Sequence, residues 1–83
     1  MNKRHYNPVS CDFMDQIERF AITQHSGTIR FRDALGIETE VEDRVKTWIA
    51  TDGVEYLITE SQLKIRLDDI IELFGIHPGA KFC

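Results

Sequence analysis

Cys11, Cys83, His5, His25 and His77 are the residues best suited to nucleophilic or metal chemistry in this chain of 83 residues. Cys11 precedes an amphipathic stretch, where the N-terminal dipole of a helix would stabilise a thiolate. A nucleophile also needs a base within reach, and no sequence motif places one of the histidines beside it. No C-x-x-C or H-x-x-x-H pair is present to seed a tetrahedral metal site. Asp68 and Asp69 look like a carboxylate pair, but neighbours on a strand point to opposite faces and cannot converge on one ion. A turn or bulge held by Asx hydrogen bonds is the simpler expectation for them. The chain also has no G-x-S-x-G, P-loop or H-E-x-x-H motif. The expectation is a protein that is not an enzyme and that uses no cofactor or metal, with Cys11 as a small filler at a helix start.

The remaining chemistry is charge. Asp12, Asp15 and Glu18 fall on one side of the segment S-C-D-F-M-D-Q-I-E-R-F-A. Phe13, Met14, Ile17, Phe20 and Ala21 fall on the other, so positions 10–22 read as an amphipathic helix capped by Ser10 or Asp12. A second acidic group, Glu38, Glu40, Glu42 and Asp43, lies on a long alternating stretch. The plain reading of both groups is a solvated face. Asp15 and Arg19 are spaced for a weak local pair, and Arg30, Arg32, Arg44 and Lys46 for neutralising the strand cluster across a sheet.

Total composition limits the alternatives. With 42% hydrophobic and 29% charged residues, the chain is expected to form one soluble domain over 1–83. The formal net charge of -4 opposes unselective nucleic-acid binding. No apolar run approaches the ~20 residues of a membrane span, and no apolar h-region follows the basic start, so the expected location is cytoplasmic, with no membrane contact. In that reducing compartment Cys11 and Cys83 are expected as free thiols.

The elements that must position these charges are mostly strands. Positions 1–9 read as an arm, mobile at its start, in which Pro8 disfavours regular pairing. Ser26-Gly27 breaks the helical pattern, and T-I-R-F-R then alternates, with a hairpin around Gly36. From Ile37 to Ile49 the phase of Ile37, Val41, Val45 and Ile49 runs longer than one ordinary strand, so a bend or bulge is expected near 42–44. Trp48 falls out of that phase. Asp52-Gly53 is the strongest hairpin signal and leads into V-E-Y-L-I-T, the polar link 60–62, and L-K-I-R-L. Asp68-Asp69 then interrupts before I-I-E-L-F, expected as a closing strand, and 75–83 reads as an irregular tail. The fold class is therefore α+β and mainly β: an N-terminal helix, then about five antiparallel strands over 28–74 curled into a small barrel or sandwich.

N-P-V-S-C-D at 7–12 with Asp15, Ile17 and Glu18, V-E-Y-L-I at 54–58, and I-R-L-D-D-I at 65–70 give the chain a resemblance along nearly its whole length. In order and spacing it resembles the Rho-binding antiterminators (the Rof/YaeO family). That resemblance implies a Sm-like barrel with an N-terminal helix. It also implies a protein that binds the N-terminal RNA-binding region of the Rho termination helicase, keeps RNA off it and so causes antitermination. Carried over by position, the Rho-binding residues are Asp12, Asp15 and Glu18, with Gln16 and Asp52 as accessory positions. A family member carries a further acid beside the position of Asp12, where this chain has Phe13. On this reading the chain is a monomer in isolation and makes no direct nucleic-acid contact. The alternative is a Sm-like RNA-binding module using Arg30, Arg32, Arg44 and Lys46 with Trp48. A sensor built on Cys11, Cys83 and the histidines ranks below both.

Overall fold

A computed structural model describes residues 5–79. Helix α1 spans Cys11–Thr23 and is followed by β1 (Ser26–Arg32), β2 (Glu38–Thr51), β3 (Val54–Thr59) and β4 (Lys64–Arg66). One turn of 3-10 helix, Leu67–Asp69, then leads into β5 (Ile70–Leu73). The five strands are antiparallel neighbours in the order β4-β3-β2-β1-β5. Consecutive hairpins build β1 to β4, and β5 returns to pair with β1. The sheet is open, with β4 and β5 as its edges.

Ser10 caps α1, its Oγ accepting from the Phe13 N–H at 3.1 Å. This satisfies one of the donors that the first helical turn leaves unpaired. At the other end Gln24 takes a left-handed conformation (φ 52°), and His25 N–H donates to the Phe20 carbonyl at 2.9 Å. That bond closes the helix without a glycine. Phe13 and Ile17 are buried and Met14, Phe20 and Ala21 half-buried, so the expected arc is the one that packs. They join Val9, Ile29, Phe31, Val45, Leu57, Ile65, Leu67, Ile70 and Leu73 in one core. Leu63, Ile65 and Leu67 follow the alternation, with Ile65 and Leu67 fully in the core and Leu63 at its margin.

Strand β2 serves two partners. Its residues 38–44 pair with β1 and its residues 45–51 with β3. The register slips between Val45 and Thr47, one step beyond the expected 42–44. One extra residue on a strand of period two sends every later side chain to the opposite face. This corrects the sequence reading of the second half: Trp48, paired with Leu57, packs against the core, while Ile49 is 39% exposed. A second correction concerns the start of β1, expected at 28: Ser26-Gly27 lies beyond the helix end at Thr23, as expected, and already opens the strand. A Cβ on Gly27 would sit 2.8 Å from the Phe74 ring, so this glycine provides room for a neighbour. Phe74 in turn meets Phe20 edge-on and His25, with ring centroids 4.9 and 4.6 Å away.

The arm is pinned where it is described. Tyr6 Oη donates to Glu55 at 2.7 Å, Asn7 N–H donates to Asp68 at 3.0 Å, and Val9 is buried. The expected mobile start concerns 1–4, outside the described residues. Asp68 and Asp69 form the 3-10 turn, and the Arg66 guanidinium donates to Asp68 at 2.8 and 3.0 Å. The outer face of β3 and β4 is therefore partly roofed by the arm. Cys11 is not the expected free thiol but is disulfide-bonded. That expectation rested on an assumed reducing compartment. The fold meanwhile draws the chain near Gly79 to the helix start, Ser10 Oγ donating to the Pro78 carbonyl at 2.9 Å. Cys83 lies outside the described residues. Among those described, no helix is long and apolar enough to cross a membrane.

Candidate functional site

The core-facing arc of α1 determines where its acids go. Burying Phe13 and Ile17 against the sheet turns Asp12, Asp15 and Glu18 to solvent, and all three are exposed. Asp15 and Glu18 share a stripe with Ile22, since residues three and four apart are neighbours on a helix. The expected Asp15–Arg19 pair does not form. Among the described residues, no hydrogen bond or ion pair engages the carboxylates of Asp12, Asp15 or Glu18. Gln16 is half-buried on the flank of the same face. Phe13, standing where an acid was implied, is a core residue at 2% exposure.

Ile22 was not read from the sequence as a site residue. It is 83% exposed one turn beyond Glu18, an apolar side chain beside free carboxylates. The signal was its place off the buried arc of the helical wheel. Charge with an exposed apolar anchor is what a protein-binding surface needs. Asp52 is elsewhere, at the exposed tip of the β2–β3 hairpin with φ 54°. Among the described residues no bond links it to α1.

The second acidic group is in a different electrostatic state. Arg30 donates to Glu72 at 3.0 Å and to Glu38 at 3.3 Å, with Glu40 at 3.9 Å. Register explains the convergence, because Arg30 stands opposite Glu40 on β2 and Glu72 on β5. The hydrogen bond that Arg30 donates to Glu72 is the main cause that raises the Arg30 pKa further. Glu42 accepts from Thr28, and Asp43 accepts from Ser61 and the Arg44 N–H. Burial pulls the Asp43 carboxyl upward, but the donors Ser61, Arg44 and Thr59 outweigh it and hold it below the usual range. The Tyr6 hydroxyl moves the other way, raised by burial and by its bond to Glu55.

The alternative RNA patch is not brought together. Arg30 is committed to three carboxylates, Trp48 packs inward, and Lys46 lies at the bulge. Among the described residues no group of three or more His, Cys, Asp or Glu could hold a metal ion. No family model matches the chain, and neither a curated protein nor a solved structure matches it.

Proposed function

We infer that this chain is a non-enzymatic protein inhibitor that docks its acidic helix face on the RNA-binding region of the Rho helicase and blocks RNA loading. The sequence resemblance suggests the partner. The observation that carries the docking mode is that Asp12, Asp15 and Glu18 share one exposed helix face that no cation among the described residues engages. A surface that grips phosphates is positive, so free carboxylates steer toward it and occupy it. Ile22 supplies an apolar contact beside that charge. Gln16 and Asp52 are accessory positions, Asp52 reaching the partner only if the β2–β3 hairpin also touches it. The five-stranded order with β5 beside β1 supports reading the sheet as an open Sm-like barrel. The inhibitor acts as a monomer and without direct nucleic-acid contact.

The test is a competition titration in which Rho is pre-bound to a labelled RNA and the protein is added. RNA release that saturates is the expected outcome. Unchanged RNA affinity at saturating protein would sink the reading. Binding of RNA by the protein alone at moderate salt would favour the Sm-like RNA-binding module in its place.

A further inference from the structure

Strand β4 is short and pairs on one side only, with β3. Along its free side runs a groove of about 470 Å³ between β4 and the end of β1. The groove exists because β5 covers β1 only as far as Phe31 and the sheet does not close. Ile65 and Phe31, both core residues, line it between the charged groups. Arg32 and Lys64 line it too, and among the described residues neither makes an ion pair. Lys64 instead places its ammonium 4.4 Å from the centre of the Tyr56 ring. Arg66 adds a third cation, bonded to Asp68. Asp33 and Asp69 are the acids in the lining. One Asp33 oxygen is already taken, accepting the N–H groups of Leu35 and Ile37 at 2.9 and 3.0 Å.

We propose that this groove takes an extended acidic peptide of another protein, added to β4 as a further antiparallel or parallel strand. A strand edge carries a row of N–H and C=O groups that only another backbone satisfies in alternation. Cross-strand neighbours share a face, so acids in the guest would lie beside Lys64 and Arg66 and within reach of Arg32. The alternate guest residues, beside Ile65, would turn toward Phe31 and must be apolar. The fitting sequence therefore alternates acidic and β-branched residues. A nucleic acid fits less well: it carries no alternating N–H and C=O groups to pair with the β4 edge, and Phe31 is too buried to stack on a base. This inference is independent of the helix face.

A fluorescein-labelled octapeptide of alternating valine and glutamate is titrated against the full chain by anisotropy, and amide shifts are mapped by NMR. Saturable binding is expected, with shifts concentrated at 31–34 and 63–67. The same peptide N-methylated at alternate residues should bind at least about tenfold more weakly, because strand bonding is blocked. Arg32→Glu with Lys64→Glu should weaken the unmethylated peptide by a similar factor. No saturation, equal binding of the methylated peptide, shifts confined to α1, or preference for an octauridylate over the peptide would each overturn the proposal.

Discussion

The exposed face of α1 and the outer face of β1, β2 and β5 both carry several carboxylates, yet they differ in what those carboxylates touch. On the sheet, Glu38, Glu40 and Glu72 surround Arg30, while Glu42 and Asp43 accept from Thr28 and Ser61. On the helix, among the described residues, Asp12, Asp15 and Glu18 touch no cation. Charge density alone therefore does not mark a binding surface. Antiparallel register supplied the sheet with its own counter-charges, because residue 30 stands between acids on two neighbouring strands. The helix could only draw on positions three and four away, and Arg19 does not reach Asp15. What remains unneutralised is available to a basic partner, and its attraction falls with salt over roughly 8–10 Å of screening.

The difference can be broken at its foundation or sharpened at its surface. Leu57→Ala or Leu67→Ala removes a fully buried side chain and should cost ~2–5 kcal/mol by urea unfolding, abolishing both faces together. Loss of binding there reports unfolding only. Ile22→Ser should leave the unfolding midpoint nearly unchanged and weaken Rho binding by about tenfold if the side chain is buried by the partner, as calorimetry would show. Arg30→Ala should lower Tm slightly and leave Rho affinity unchanged, since exposed pairs are weak and the docking face is on α1. A large gain in Rho affinity on Arg30→Ala would mean that the freed sheet acids also reach the partner.

The smallest effect is acidic. The Asp43 carboxyl titrates lower when folded than its ordinary 3.8, so its contribution to stability is complete above that value and is lost as pH falls through the folded pKa. The stability difference between the natural chain and Asp43→Asn should be flat from pH 7 down to about 5 and shrink below about 4. A difference that grows on acidification would contradict the bonding of Asp43 to Ser61 and Thr59.

Much of this architecture was legible in the sequence because periodicity and turn chemistry are local. The α1 wheel, the Asp52-Gly53 turn and the Leu63–Ile65–Leu67 alternation each needed only their own residues. The faces of Trp48 and Ile49 were misread because a bulge is fixed by the partner strand, here where Val45 and Thr47 meet β3. Gly27 read as a link before β1 because Phe74, far along the chain, was not visible as its neighbour. The acids of α1 were legible as an exposed face, but their lack of counter-charges was not. The sheet acids looked equally available, and only register tied them to Arg30. Ile22 escaped because its place off the buried arc was readable on the wheel, but its exposure beside the unpaired acids showed only once the helix was seated.

The central claim is tested most directly by measuring Rho affinity of the Asp15→Lys, Glu18→Lys double variant beside the natural chain at two salt concentrations. Both should unfold at the same urea concentration. The variant should bind at least about tenfold more weakly at low salt, with the gap narrowing as salt rises. Equal affinity at low salt would contradict docking through the acidic helix.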